Sequence, residues 1–134
     1  MKRIAMLLLL SVVPLIAQEN LRPDPQKRID FSKVLIDFDG KAMQIGDSKH
    51  SENLTLKAVA IGCLNTPQES DKGMQPRQSY KLGDIQFLIH EDKPLTVDEV
   101  SILVDRVASC RLWTPIVIRV ALPLIDPAIP EMWK

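Results

Sequence analysis

The sequence predicts a small α+β domain that is mostly helical, with an N-terminal β-hairpin at about residues 33–45 followed by about four short helices around one core. Three observations predict it. The pair Asp39-Gly40 interrupts an apolar, β-branched stretch, as in a hairpin turn. Apolar residues then recur at helical spacing in later segments. With 134 residues, of which 46% are hydrophobic and 25% charged, the chain suits one modest core rather than disorder.

The first 17 residues have the layout of a secretory signal peptide. MKR is a short basic start, IAMLLLLSVVPLIA is apolar, and Ala17 precedes the polar QEN. The apolar run is shorter than the roughly 20 residues that a membrane span needs, so no stable membrane anchor is expected. We therefore expect export to the periplasm or the medium. The alternative is a cytoplasmic protein whose start is misassigned and lies near Leu21. Residues 18–28 are polar, contain two prolines and predict an exposed lead-in.

The hairpin opens a single globular domain that is expected to span residues 29–127. Asp-Gly is favoured in a two-residue type I′ turn, where both central residues have positive φ, and this predicts short strands near 33–38 and 41–45. The segment LTLKAVAIGCL then has apolar residues at helical spacing. It predicts a helix over about 54–64 with Asn53 as its N-cap.

A second helix is predicted over about 77–91. Its apolar residues at helical spacing are Tyr80, Ile85, Leu88 and Ile89. Gly83 costs this helix roughly 1 kcal/mol relative to alanine.

The third helix, at about 97–110, has the clearest local signal in the chain. Thr96 and Glu99 form a capping box, in which each side chain satisfies the backbone N–H of the other residue. Leu95 and Val100 are placed as a hydrophobic staple around it. One face is expected to carry the valines at 97, 100, 104 and 107.

The last apolar run has conflicting signals. The β-branched residues at 116–118 favour a strand, whereas Thr114 as N-cap with Pro115 at the first helical position favours a helix. We predict a helix over about 115–122 and an extended C-terminal tail over 128–134.

The stretch VLIDFDG is similar to the nucleophile motif of the haloacid-dehalogenase phosphatases, in which the first Asp attacks phosphorus and the second is the acid/base. Those roles would fall on Asp37 and Asp39, but Lys41 stands where that motif has threonine. The chemistry also needs a distant lysine and further acidic residues around a magnesium ion. No alternation of strands and helices places them here. An Asp-based phosphatase is thus a remote alternative, and no catalytic or cofactor-binding residue is assigned.

Metal ions and nucleic acids are not expected ligands. The two histidines, His50 and His90, and the two cysteines, Cys63 and Cys110, are each isolated, whereas zinc sites usually contain a close pair of ligands. A formal charge of zero and an aromatic content of 4% provide neither a basic patch nor a stacking platform. No cofactor is implied.

Cys63 and Cys110 are a disulfide candidate if the chain is exported, because an even number of cysteines in an oxidising compartment indicates a bridge. It would close a loop of about 47 residues and stabilise the fold by roughly 3–4 kcal/mol. The alternative is two small buried residues.

The order of these segments resembles a family of small, mostly uncharacterised proteins encoded by bacteriophages and prophages. The resemblance lies in IDFSKVLIDFDGKAM followed by LTLKAVAIGCL, and in the later DKPLTVDEVSILVDRVAS and TPIVIRVALPLIDP. It covers about residues 28–127 and implies a hairpin with short helices and a structural or adaptor role. It transfers no functional residues, and the apparent export signal departs from it.

The resulting hypothesis is a non-enzymatic protein-interaction or structural module of phage-related type that binds a protein partner or a second copy of itself. An apolar surface patch is expected to serve this binding, with Ile116, Ile118, Leu122 and Trp133 as its candidates. The alternative is an exported binding domain stapled by a Cys63–Cys110 disulfide.

Overall fold

The computed structural model describes residues 26–132, which form helices and two small antiparallel strand pairs. In chain order the elements are β1 (Gln26–Lys27), β2 (Gln44–Ile45), β3 (Glu52–Asn53), α1 (Leu56–Asn65), a 3₁₀ turn (Glu69–Asp71), α2 (Pro76–His90), β4 (Leu95–Thr96), α3 (Val97–Ala108), α4 (Pro115–Ile125) and α5 (Ile129–Met132). The predicted α+β, mostly helical fold class is confirmed. The expected signal peptide, residues 1–17, lies outside the described residues.

Helix α1 is central to the core and contacts α2, α3 and α4, while α3 also packs against α4. The buried apolar side chains of these helices and of the hairpin form one cluster, as the sequence predicts. Its completely buried members include Leu35, Leu56, Val59, Ala60, Ile85 and Leu103.

The hairpin turns over three residues rather than two. The Asp37 N–H donates to the Lys41 carbonyl at 2.8 Å, so residues 38–40 form the loop. Gly40 has φ of +80°, whereas Asp39 does not have a positive φ. The predicted type I′ turn is therefore wrong. Only the glycine takes the left-handed conformation, as in three-residue loops that close with a glycine bulge.

Leu35 joins the hairpin to the chain that leads into α1. Its N–H donates to the Leu54 carbonyl, and its carbonyl accepts from the Met43 N–H, each at 2.8 Å. The Leu54 N–H in turn donates to the Met43 carbonyl at 2.8 Å. These bonds satisfy the backbone of a segment whose Leu35 side chain is buried in the core.

Helix α1 begins at Leu56 because Thr55 is its N-cap. The Thr55 hydroxyl accepts from the Ala58 N–H at 3.2 Å. The predicted cap, Asn53, is wrong, since this residue belongs to β3, where its side chain accepts a hydrogen bond from Gln44 of β2. Asn53 is therefore the last residue of a strand, and the helix begins three residues later.

Helix α2 lies within one residue of its predicted bounds, with Ile85, Leu88 and Ile89 buried. Tyr80 was expected on the same face but is 78% exposed. Tyr80 precedes Ile85 by five residues, which places the two side chains on opposite sides of a helix with 3.6 residues per turn. The expectation for Tyr80 is therefore wrong.

The predicted capping box at the start of α3 is confirmed. The Thr96 hydroxyl accepts from the Glu99 N–H at 3.2 Å, and a Glu99 carboxylate oxygen accepts from the Thr96 N–H at 2.9 Å. The predicted inward face is correct at Val100, Val104 and Val107, but Val97 is half exposed.

Helix α4 extends past its predicted end to Ile125, despite Pro123 in its last turn. The Asp126 N–H closes that turn by donating to the Leu122 carbonyl at 2.9 Å. The chain after Pro127 is not extended as expected, because it forms α5 and buries Ile129 in the core.

The expected lead-in also has a structural role in its last residues. Gln26 and Lys27 are exposed, but they pair in antiparallel register with Thr96 and Leu95 of β4. The start of the described chain is therefore held beside the N-terminus of α3.

Candidate functional site

The Asp37 side chain holds the hairpin turn. Its Oδ1 atom accepts hydrogen bonds from the N–H groups of Asp39 and Lys41, each at 2.9 Å. Asp39, the second carboxylate of the motif, is exposed and lies in the loop itself. The turn therefore accounts for an aspartate at position 37 without a reaction.

The described residues contain no group of three or more histidine, cysteine, aspartate or glutamate side chains that could hold a metal ion. His50 and His90 are both exposed, the first in the loop before β3 and the second at the end of α2.

The predicted interaction patch is wrong in one of its members. Leu122 is buried, so it is not part of the surface. Ile116 and Ile118 are only partly buried and pack against the core. Trp133 lies outside the described residues. Helix α4 therefore offers less apolar surface than its sequence suggests.

A different apolar surface lies on α2. Tyr80 and Phe87 are large, exposed side chains, 78% and 53% accessible, and they stand seven residues apart on one face of the helix. Gly83 lies on the same face between them. We call Tyr80, Gly83 and Phe87 the α2 face.

Among residues 26–132, no packing contact explains the glycine in this helix. A Cβ atom placed on Gly83 would meet no atom within 4 Å. Gly83 also does not have a positive φ, so the backbone does not require glycine here. Glycine in a helix interior nevertheless costs roughly 0.5–1 kcal/mol relative to alanine.

A groove runs along the α2 face on its α1 side. It has a volume of about 390 Å³ and is lined by Lys57, Ile61, Gly83, Gln86, Phe87 and His90. The missing side chain at Gly83 helps to open it. The Lys93 ammonium lies 5.7 Å from the centre of the Phe87 ring, a cation–π contact that positions this aromatic residue. We call this cavity the α1–α2 groove.

The hairpin has a second exposed apolar pair. Ile36 and Phe38 flank Asp37, and Phe38 is 73% accessible. The hairpin thus exposes two large apolar side chains of its own.

A cluster of charges ties the connector before α2 to α3. The Arg106 guanidinium donates to the Asp71 carboxylate at 2.5 Å and to the Thr66 carbonyl at 3.0 Å. The Arg106 carbonyl accepts from the Gln68 amide at 2.9 Å. The hydrogen bond from Arg106, followed by one from the Gln68 N–H, lowers the pKa of Asp71.

A second ion pair lies on the same side of α3. The Lys81 ammonium is 2.9 Å from a carboxylate oxygen of Glu99, which is completely buried. Together with Asp71 and Arg106, Lys81 lines a cavity of about 270 Å³. Two basic side chains and one acidic side chain therefore line this cavity, and each basic group is paired with a carboxylate. A larger opening of about 590 Å³ over residues 67–70 also includes the polar side chains of Ser109 and Arg111.

Cys63 and Cys110 lie together in the core. Both are buried free cysteines, one in α1 and the other two residues after the end of α3. Burial and a hydrogen bond with Cys110 raise the pKa of the Cys63 thiol. The sequence thus identified a pair that the fold brings into contact, although they are far apart along the chain.

Comparison of the chain with known protein families, with curated proteins and with solved structures found no match. Within residues 26–132, no helix has both the length and the apolar character needed to cross a membrane.

The α2 face was not predicted from the sequence, because Tyr80 lies at helical spacing with the core residues of α2 and was expected on their side of the helix. The available signal was the spacing of Tyr80 and Phe87, which are seven residues apart and share a face that excludes Ile85. The Arg106–Asp71 pair had no sequence signal, since neither residue type nor spacing links positions 35 residues apart.

Proposed function

We propose that this chain is a non-enzymatic protein-interaction or structural module, of the phage-related type that its segment order resembles, and that it binds a protein partner through the α2 face. The observation that carries the proposal is Gly83, which stands between two exposed aromatic residues and has no packing reason to be glycine. The partner is another protein or a second copy of this chain.

Aromatic side chains favour protein recognition because they bury a large area at low conformational cost, and tyrosine is enriched among the residues that dominate binding energy. Tyr80 and Phe87 provide two such anchors on a regular helix. Helix α2 is itself held by the buried Ile85, Leu88 and Ile89, so the aromatic side chains project from a fixed support.

The gap at Gly83 gives this surface its shape. Two projecting rings with an open position between them accept a partner side chain, and the α1–α2 groove extends that space toward α1. A side chain at position 83 would obstruct the partner, and this accounts for a glycine that lowers the stability of the helix. Lys57 and His90 at the groove margin supply polar groups for orientation.

The alternative is an exported binding domain stapled by a Cys63–Cys110 disulfide, which the contact between the two thiols favours. That alternative concerns the compartment and the covalent state of the chain, and it is compatible with the same binding face.

The test is site-specific cross-linking in the native cells. A photoreactive phenylalanine analogue replaces Tyr80 in one version of the protein and Asp98 in the control version, because Asp98 is an exposed position on α3. We expect one discrete adduct from position 80 and none from position 98. The mass of the adduct distinguishes a second copy from another protein.

The matched variants are Tyr80→Ala, which removes an anchor, and Tyr80→Phe, which keeps the ring. With the adduct partner purified, Tyr80→Ala is expected to weaken binding about tenfold or more, whereas Tyr80→Phe changes it little. Gly83→Leu, which fills the gap, is expected to weaken it as well. Equal cross-linking at positions 80 and 98 would contradict the assignment of this face.

A further inference from the structure

We infer that Cys63 and Cys110 form an intramolecular disulfide when the chain folds in the presence of a disulfide oxidant, and that this bond is made before the core closes rather than in the finished fold. The inference is independent of the α2 face, which lies on α2 and uses neither cysteine.

The position of the thiols carries the first part. Cys63 lies in α1 and Cys110 follows α3, the two helices that pack against each other at the centre of the core. Both side chains belong to the same buried apolar cluster. The Cys110 backbone is itself fixed, since its N–H donates to the Val107 carbonyl at 3.2 Å. The chain contains two cysteines in all, so neither has another partner within the molecule.

The chemistry is thiol–disulfide exchange in two displacements. One cysteine thiolate attacks a sulfur of the oxidant disulfide and expels the first thiolate of the oxidant, which leaves a mixed disulfide. The second cysteine thiolate then attacks the protein sulfur of that intermediate and expels the second. The protein loses two protons and two electrons, and one oxidant disulfide becomes two thiols. Oxidised glutathione and protein dithiol oxidases are oxidants of this class.

Burial carries the second part. Cys63 has no accessible surface and Cys110 is 6% accessible, so an oxidant cannot reach either sulfur in the folded domain. Exchange also requires a thiolate, and the raised pKa of Cys63 keeps that thiol protonated. The reaction is therefore fast only while α1 and α3 are incompletely packed. The same burial protects the finished bond from reductants, which makes it a permanent link rather than a switch.

The experiment compares two orders of addition with the full-length reduced protein. In the first, the protein is unfolded in guanidinium and refolded by dilution into oxidised glutathione. In the second, it is refolded first and then given the same concentration of oxidised glutathione. Each sample is alkylated at intervals and its intact mass is measured. Within minutes, we expect the protein in the first sample to lose two hydrogens and to resist alkylation. In the second sample, we expect both thiols to remain reduced through hours of exposure to oxidised glutathione, so that both are alkylated once the protein is unfolded for the assay.

Thermal unfolding supplies the second readout. The linked protein is expected to melt roughly 10 °C above the reduced protein, from the loop that the bond closes. Cys110→Ala, which removes one partner and keeps a small buried side chain, should melt at the same temperature under both conditions. Two alkylatable thiols in the protein refolded in the presence of oxidised glutathione would overturn the bond itself. Equal oxidation rates in the two orders of addition would overturn its formation before core closure.

Discussion

The guanidinium of Arg106 holds the carboxylate of Asp71 at 2.5 Å, and this contact joins two parts of the chain that share no local pattern. Arg106 is on α3, and Asp71 ends the 3₁₀ turn that leads to α2. Arg106 also donates to the Thr66 carbonyl just after α1. One side chain therefore fixes the path of the whole connector between α1 and α2.

Arg106→Gln is expected to destabilise the domain by about 2 kcal/mol, because hydrogen bonds to a charged group contribute about 1.5–3 kcal/mol and leave partners unsatisfied when they are removed. The measurement is the urea midpoint at unchanged m-value. The control is Arg111→Gln, the same substitution at an exposed position on the next loop. Equal effects of the two substitutions would contradict the role assigned to Arg106.

The decrease in the free energy of unfolding at low pH is expected to depend on Asp71. Its pKa in the folded protein lies below the usual value of 3.8, so the ionised carboxylate stabilises the fold above about pH 4, and this contribution is lost as the pH falls through the lowered pKa. Asp71→Asn should flatten the fall in urea midpoint between pH 5 and roughly pH 2.5. Asp105→Asn, at an exposed position of α3, is the control.

A residual acid dependence is expected even in Asp71→Asn. Hydrogen bonds from the Ser32 side chain and backbone lower the pKa of Asp30, which shifts stability in the same direction. An Asp71→Asn profile that is parallel to the wild-type profile would show that Asp71 does not contribute.

Thr96→Ala is expected to cost about 1 kcal/mol, since it removes the oxygen that accepts from the Glu99 N–H at the start of α3. Thr96→Ser keeps that oxygen and is expected to cost clearly less. The two variants are compared by thermal unfolding. If serine were as damaging as alanine, the lost methyl group rather than the cap would be the cause.

Gly83→Ala is expected to stabilise the domain by about 0.5–1 kcal/mol, because the new methyl group meets open space in a helix of ordinary backbone conformation. Gly40→Ala should do the opposite, since Gly40 has φ of +80° and also meets nothing. Both substitutions add a methyl group in open space, so a difference between them reports the backbone conformation alone. The urea midpoints of the two variants measure this difference. A loss of stability in Gly83→Ala would mean that this glycine has an internal role.

Asp37→Ala is expected to cost about 1 kcal/mol through the loss of the two hydrogen bonds that its Oδ1 accepts, whereas Asp37→Asn keeps an acceptor and should fold almost normally. The same proteins test the phosphatase alternative. Magnesium-dependent turnover of a generic phosphate ester that disappears in Asp37→Asn, with folding unchanged, would restore that alternative.

The features that the sequence predicts best are local. The capping box of Thr96 and Glu99 requires only three residues of spacing, and its geometry is as expected. The chain does turn back at Asp39-Gly40, but residues 33–38 form no regular strand and pair with the following segment through an isolated bridge between Ile36 and Ala42. The turn type was also wrong, because the number of loop residues depends on which backbone groups pair across the turn. The fold class followed from these local signals together.

The features that the sequence could not predict depend on which neighbours an element meets. Helix α4 is apolar on most sides, so periodicity could not show that Leu122 faces inward with Val117, Ala121 and Ile125. The Arg106–Asp71 pair and the open space at Gly83 likewise depend on packing between distant segments. The α2 face could have been predicted from the sequence, because Tyr80 and Phe87 are seven residues apart and therefore lie on the same side of the helix.

The pairing of β1 with β4 has a consequence for the order in which the chain is made. Gln26 pairs with Thr96, so the first described residues leave the ribosome long before their partner does. Until residues 95 and 96 have been synthesised, β1 lacks its strand partner, even if the hairpin and α1 have already folded. A chain that stops before Leu95 therefore leaves Gln26 and Lys27 without their strand partners, and this pairing forms only after most of the domain has been synthesised.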